Sequence, residues 1–193
     1  MDPKTFNPSR ILYYDFFSNL FIYELLINKK DILLQQIDIL SKAPLCDLKL
    51  YQTIQTNLYQ NFTHLQEEYT KLFALPFKTS ISLYLSHYQN GYLGGNPLLQ
   101  VKALLKESGF FLDRSITKEN EDHFGILCLF MKFLLLKENK EQSNQVFEEC
   151  IKPLGPHITN ALSLQNQSPT YHAVGKILEE FMAFELELQH ALT

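Results

Sequence analysis

Apolar residues recur at steps of three and four along most of this chain, which is the spacing of one face of an α-helix. The longest such run extends from Asp47 to about Phe73 and passes through Leu50, Ile54, Leu58, Phe62, Leu65, Tyr69 and Leu72. Composition favours the same class of structure, because the 193 residues include 34 Leu and 13 Ile but only 3 Val and 7 Gly. Leu loses little rotamer freedom in a helix, whereas Val is stiff and favours strands. The sequence therefore predicts an all-α chain.

Prolines, glycines and capping residues divide this pattern into separate predicted helices. They run from Arg10 to about Asn28, Asp31 to Ser41, Asp47 to about Phe73, Pro97 to near Gly109, Thr117 to about Lys137, Glu141 to Ile151, past Pro156 to about Leu164, and Pro169 to about His190, with a short apolar segment at Ser80 to Tyr88. Asp31, Thr117 and Ser168 are the predicted N-caps. Because no repeat or composition shift marks a boundary, we expect residues 1–193 to form a single-domain, all-α helical bundle of about seven to nine helices.

Charge and apolar content argue against several classes of protein. A formal net charge of -4 disfavours a nucleic-acid partner, since such binding depends on Lys and Arg neutralising phosphates. The most apolar segment, Phe124 to Leu136, has 13 residues, and about 20 are needed to span a bilayer. The N-terminus lacks the basic and apolar regions of a secretory signal, and three widely spaced cysteines suit a reducing compartment. We therefore expect a cytoplasmic protein without an integral membrane segment.

No motif for metal binding, phosphate binding or nucleophilic catalysis emerges from the sequence. The six His are scattered without HExxH or ExxH spacing, so no metal site is predicted. The segment Gly91-Tyr92-Leu93-Gly94-Gly95 is neither GxGxxG nor a P-loop and indicates a turn. Glu67 and Glu68 are adjacent on a predicted helix, where side chains diverge by about 100°, so they cannot form one acid/base pair. The sequence predicts no catalytic residue and no cofactor.

Two short segments stand out from this background. In Tyr69 to Phe77, the side chains of Tyr69, Leu72 and Phe73 lie on one helix face, and Phe77 follows the break. Core packing is the alternative to a binding surface here. In Glu121-Asp122-His123-Phe124-Gly125, an acidic residue and a His open an apolar helix. Compensation of the helix dipole is the alternative to a functional pair there.

The order of these segments resembles that of the TorD/DmsD/NarJ family of redox-enzyme maturation chaperones. A Tyr-x-x-Leu-Phe segment at 69–73 is followed by Ser82-Leu83-Tyr84-Leu85-Ser86-His87-Tyr88, the Gly94-Gly95 loop, the Gly109-Phe110 turn and Glu121-Asp122-His123. Further similarities are Leu129-Phe130-Met131-Lys132-Phe133-Leu134, Phe147 to Leu154, and Pro169-Thr170-Tyr171. The resemblance covers residues 10 to 190. Leu65, Asn120 and Leu154 depart from the family pattern, in which Glu, Pro and Trp are common at these positions.

This resemblance implies a TorD-like fold and a chaperone rather than an enzyme. Family members bind the twin-arginine signal peptide, and often the body, of a molybdenum- or tungsten-cofactor oxidoreductase subunit, and delay its export until the cofactor is loaded. The expected partner is therefore a molybdoenzyme precursor, bound by a monomer or homodimer. The implied leader-binding residues are Tyr69, Leu72, Phe73 and Phe77 for the apolar part, Asp122 and His123 beside it, and Glu67 or Glu68 for the arginines.

Two other functions fit the same residues. A helical adaptor would bind a partner without recognising a leader. A helical enzyme would use Asp122 and His123 as its acid/base pair, although neither a substrate pocket nor a second catalytic group can be argued from the sequence. Recovery of a molybdoenzyme precursor in a pull-down would favour the chaperone, and recovery of an unrelated assembly would favour the adaptor.

Overall fold

The chain folds mainly into helices in a computed structural model that describes residues 7–75 and 81–192. The α-helices are α1 (Asn7–Phe21), α2 (Tyr23–Asn28), α3 (Lys30–Leu40), α4 (Leu48–Gln60), α5 (Phe62–Tyr69), α6 (Leu85–Asn90), α7 (Asn96–Ser108), α8 (Phe124–Leu136), α9 (Lys140–Val146), α10 (Lys152–Ser163) and α11 (Pro169–Leu192). Two π-helices, π1 (Thr70–Ala74) and π2 (Phe147–Ile151), continue α5 and α9. The described ranges contain no β-strand, only an isolated antiparallel bridge between Tyr84 and His123. The predicted all-α fold is confirmed.

The backbone groups into two compact units, each made from two separate stretches of the chain. The described residues of Met1–Leu25 and Leu83–Leu154 form unit 1, and those of Leu26–Ser82 and Gly155–Thr193 form unit 2. The expectation that residues 1–193 form a single domain stays a prediction.

Unit 1 is built around α8, a helix that is apolar on nearly every face. This helix packs along α1, and Phe21 of α1 meets Phe124 of α8 edge to face, with ring centroids 5.2 Å apart. Gly125 permits the close approach, because a Cβ atom there would lie 2.6 Å from Ile22 Cγ1. A helix that is apolar on nearly every face has to be buried, and α8 is enclosed in this way within unit 1.

Unit 2 is organised by α11, the longest helix of the described residues. It packs on α4 and α5, while α3 packs on α4. Gly175 lies where α11 contacts α10, because a Cβ atom at this position would be 2.6 Å from Leu162 Cβ. The two helices therefore approach so closely that a hydrogen is the only side chain that fits without a shift.

Two long predicted helices are each interrupted in the structure. Ile22 separates α1 from α2, and Asn61 separates α4 from α5. The backbone of Asn61 has φ -132° and ψ 41°, outside the helical range. A break of one residue leaves the steps of three and four almost in register, so the apolar pattern continues across it and does not reveal it.

Two predicted N-caps are wrong. Helix α3 begins at Lys30 after Lys29, which places Asp31 inside its first turn. Helix α8 begins only at Phe124, because the backbone of His123 is extended with φ -71° and ψ 134°. Thr117 therefore lies in the preceding loop, where its hydroxyl accepts a hydrogen bond from the Glu119 N–H.

Other predicted boundaries are confirmed. Helix α7 has a proline in its first turn and ends at Gly109, whose φ of 72° is left-handed. Helix α11 begins at Pro169 as predicted. The short apolar segment contains α6, although Ser80 lies outside the described residues.

Candidate functional site

Glu68 is a buried carboxylate that binds the start of α11 within unit 2. Its Oε2 atom accepts hydrogen bonds from the backbone N–H groups of Thr170 and Tyr171, both at 3.1 Å. Its Oε1 atom accepts from the Thr170 hydroxyl at 3.0 Å. The first N–H groups of a helix have no partner within the helix, and Pro169 has no N–H at all. Glu68 therefore satisfies the free donors of the first turn and places a negative charge at the positive end of the helix dipole.

Glu68 and its neighbour Glu67 differ in their exposure to solvent. Glu68 is 2% exposed, whereas the Glu67 side chain is 71% exposed. His64, one turn earlier on α5, lies between them: its Nδ1 is 3.6 Å from Glu67 Oε2 and its Nε2 is 3.5 Å from Glu68 Oε1. Glu67 is thus the carboxylate of the pair that a ligand can reach. The sequence analysis overlooked His64, although its spacing of three and four to the two acids could have revealed it.

Tyr69 and Phe73 form an aromatic cluster with Tyr171 of α11. The ring centroids of Tyr69 and Phe73 are 5.0 Å apart, and Phe73 is 5.1 Å from Tyr171, both in edge-to-face arrangements. Tyr69 and Tyr171 are buried, and Phe73 is half-buried. Burial is the main cause that raises the pKa of Tyr171 well above its usual value. Within this cluster, Phe73 is the residue that remains partly accessible.

Leu72 lies in π1, the wider turn that ends this helical segment. Its side chain is 4% exposed, and its backbone carbonyl accepts a hydrogen bond from the Ile81 N–H at 2.8 Å. Short π-helical turns occur frequently at functional sites. Leu72 therefore supports the turn from inside unit 2, while Phe77 lies outside the described residues.

Asp122 is fully buried in unit 1 and holds the start of α6. Its side-chain Oδ2 accepts from the Ser86 N–H at 2.9 Å, and its backbone carbonyl accepts from the Leu85 N–H at 3.1 Å. The Ser86 hydroxyl then accepts from the Gly94 N–H at 2.9 Å. Asp122 is therefore connected through Ser86 to the glycine-containing loop. Tyr92 and Leu93 in that loop are more than half exposed.

His123 is the N-cap of α8. Its Nδ1 atom accepts a hydrogen bond from the Gly125 N–H at 3.2 Å, and Tyr84 packs edge to face against the ring at 5.1 Å. Burial lowers the pKa of His123 to about 3, against a smaller raising effect of the Asp122 charge. The imidazole is therefore neutral at neutral pH and makes no ion pair with Asp122, a state that suits capping better than exchange of protons with a substrate.

Seven of the eight predicted site residues lie in the described ranges, and they fall into two groups that belong to different units, while Phe77 lies outside those ranges. Unit 2 holds Glu67, Glu68, Tyr69, Leu72 and Phe73, and unit 1 holds Asp122 and His123. Within residues 7–75 and 81–192, no group of three or more His, Cys, Asp and Glu could hold a metal ion. In the same ranges, no helix is both long and apolar enough to cross a bilayer.

Comparison with known proteins adds an independent observation. The sequence model of a family described as nitrate reductase delta subunit matches residues 45–163. Among solved structures, a protein from Archaeoglobus fulgidus assigned as a redox enzyme maturation protein is similar, with a TM-score of 0.62 and 19% sequence identity. The match covers 90% of this chain and 93% of that chain, and it concerns the fold. No curated protein sequence matches the chain. The range matched by the family contains all eight predicted site residues.

Proposed function

Because this chain belongs to the nitrate reductase delta subunit family of redox-enzyme maturation chaperones, we propose that it binds the twin-arginine leader of a client oxidoreductase subunit. The client is a molybdenum- or tungsten-cofactor subunit of the nitrate reductase type, and binding delays its export until the cofactor is loaded. The family match over residues 45–163 carries this proposal. The net charge of -4 supports it, because a leader with paired arginines is basic.

The accessible part of the leader site consists of Glu67 and Phe73. A carboxylate at Glu67 can accept the two parallel N–H groups of an arginine guanidinium. The partly exposed Phe73 provides an apolar contact for the hydrophobic region of the leader, and the role of Phe77 stays a prediction from the sequence. Glu68, Tyr69 and Leu72 act indirectly, since their burial supports the position of these two side chains.

Asp122 and His123 are positioning residues in this proposal. Both side chains are buried and already accept backbone hydrogen bonds. They fix the backbone from Tyr84 to Gly94, which carries the exposed Tyr92 and Leu93. Their replacement would therefore act by altering this segment of unit 1 rather than by removing a contact with the leader.

Calorimetric titration of the full chain with a synthetic twin-arginine leader peptide tests the proposal. We expect Phe73→Ala to weaken binding about tenfold, the range typical of a contact residue in an interface. Glu67→Gln should weaken it about fivefold, because a neutral amide makes a weaker bond to arginine than a carboxylate does. Glu179→Gln on α11 is the matched control, since Glu179 is an exposed partner of Lys176. Equal affinity of all three variants would contradict the assigned contacts.

A second titration separates charge from geometry. Replacing both leader arginines by lysine keeps the charge and removes the bidentate fork, so affinity should fall if Glu67 accepts that fork. Affinity should also decrease moderately from low to physiological ionic strength, because only the ionic part of the interaction is screened. If the chain bound the folded body of a client but no leader, the adaptor function would replace this proposal.

A further inference from the structure

Unit 1 carries an open cavity of about 300 Å³ at the C-terminal half of α7. Its charged lining consists of Lys102, Lys106, Arg114 and Glu121, a net charge of +2 on a chain whose total is -4. A basic leader would be repelled by this surface. The cavity therefore differs in charge from the surface assigned to the leader.

The single acid of the cavity is already engaged. Glu121 accepts a hydrogen bond from the Arg114 guanidinium and lies 3.7 Å from the Lys102 ammonium. The other terminal nitrogen of Arg114 donates to the Glu119 carbonyl at 2.6 Å. Lys106 has no ion pair within residues 7–75 and 81–192. The cavity lining thus holds two more cations than carboxylates.

Nearby acids outside the lining are also engaged. The Asp113 carboxylate accepts from the backbone N–H and the hydroxyl of Ser115. The Glu119 carboxylate accepts from the Tyr84 hydroxyl. Glu107 faces a separate polar cavity with Gln142. None of these three carboxylates forms an ion pair with Lys106 within the described residues.

One wall of the same cavity is apolar, and two of its residues pack against other apolar side chains of unit 1. Phe110 packs against Phe130 and Phe133, with ring centroids 5.4 and 5.2 Å away. Leu112 packs on a buried cluster that includes Ile22 and Leu25. Between these two anchored residues, Phe111 is 79% exposed, the most exposed large apolar side chain of the described residues.

We propose that this cavity binds an acidic peptide segment of a partner protein, with a large apolar side chain seated against Phe111. Carboxylates of the segment pair with Lys106 and Lys102, and the apolar side chain covers the exposed ring. A concave surface suits an inserted side chain better than a flat lipid bilayer does. This site goes beyond the leader site and does not depend on it.

The test uses two synthetic peptides that share a central Leu-Phe pair, one flanked by Asp and Glu and the other by Lys. Each is titrated into the full chain. We expect the acidic peptide to bind with a Kd below about 1 mM and the basic peptide not to bind. Lys102→Glu/Lys106→Glu should weaken the acidic complex at least about tenfold, as reversal of paired charges does. Phe111→Ala should weaken it about fivefold.

The double variant Lys42→Glu/Lys49→Glu is the matched control, because it makes the same change in net charge at exposed lysines of unit 2. An equal loss of affinity in this control would show a general charge effect and overturn the proposal. Absence of acidic-peptide binding would overturn it as well. Phosphatidylserine vesicles that bind the chain through Lys106 and Phe111, without acidic-peptide binding, would assign the surface to a membrane instead. The affinity of Lys102→Glu/Lys106→Glu for the leader peptide is measured as well. We expect this affinity not to decrease, because the cavity is not part of the leader site.

Discussion

The carboxylate of Glu68 accepts the backbone N–H of Thr170, a residue 102 positions later in the chain. Glu68 is 2% exposed, and its carboxylate also accepts a hydrogen bond from the backbone N–H of Tyr171. An N-cap usually comes from the residue just before its helix. Here the capping oxygens come from another helix, so the start of α11 and the end of α5 are stabilised by the same group.

Glu68→Gln should destabilise the protein by about 1–3 kcal/mol, because one of its two oxygens becomes a donor that faces backbone donors. Urea denaturation followed by circular dichroism measures the change. Glu67→Gln is the control at the adjacent exposed position, where we expect a change within about 0.5 kcal/mol. Equal destabilisation by the two substitutions would contradict the capping role.

Gly175→Ala should also destabilise the protein, although helix propensity alone favours Ala over Gly by about 1 kcal/mol. The added methyl would lie 2.6 Å from Leu162 Cβ, and overpacking of this kind costs about 1–3 kcal/mol. The sign of the change in unfolding free energy decides between propensity and packing. Lys176→Ala, at the next position of α11 where the side chain is 41% exposed, should change stability by less than about 0.5 kcal/mol.

Acidification should destabilise the protein partly through His123. Its pKa is about 3 in the folded protein and about 6.5 in an unfolded chain. The unfolded chain therefore binds a proton first as the pH falls, so stability is present above pH 6.5 and decreases towards pH 3. Between pH 7 and pH 5 this group accounts for a loss of about 2 kcal/mol.

The variant His123→Asn isolates this effect, since Asn is a good N-cap and does not titrate. Urea denaturation at both pH values should show a smaller loss of stability on acidification for the variant than for the unchanged protein. An identical loss in both proteins would show that His123 does not contribute to the pH dependence.

The three cysteines should differ strongly in reactivity. Cys128 and Cys150 are buried, and burial raises the pKa of Cys128 well above its usual value and that of Cys150 to about 12. Cys46 is partly exposed, and burial raises its pKa less. Because the thiolate is the reactive form, alkylation of the native protein followed by mass spectrometry should modify Cys46 first. Denaturation should make all three equally reactive, and early modification of Cys128 would contradict the packing of α8.

The sequence predicts those parts of the fold that depend on local patterns. Gly109 ends α7 and Pro169 starts α11 because each residue type has a backbone preference that acts at its own position. The burial of α8 is also predictable from local sequence, because its residues are apolar on nearly every face. By contrast, the break at Asn61 depends on the backbone angles of a single residue, and the apolar spacing continues across it.

The candidate site was harder to predict because its polar side chains have distant partners. Glu68 binds Thr170, and Asp122 binds the N–H of Ser86, 36 positions earlier. Nothing in the local sequence distinguishes these buried carboxylates from exposed ones such as Glu67. The sequence pattern picks out these segments as candidates, and that assignment stays a prediction. Only the tertiary contacts show which of their carboxylates are buried and which are exposed.

The contact between Glu68 and Thr170 also has a consequence for folding during synthesis. The helices α3 to α5 leave the ribosome well before α11, with the whole 83–154 stretch of unit 1 made in between. Closing so long a loop costs entropy before the contact can stabilise anything, and chains emerge N-terminal first. Until Pro169 and Thr170 have been made, the carboxylate of Glu68 has no backbone donors to bind and the face of α4 and α5 that meets α11 remains open. Unit 2 is therefore completed only after α11 has been synthesised, and a nascent chain that stalls before Pro169 would expose that apolar face.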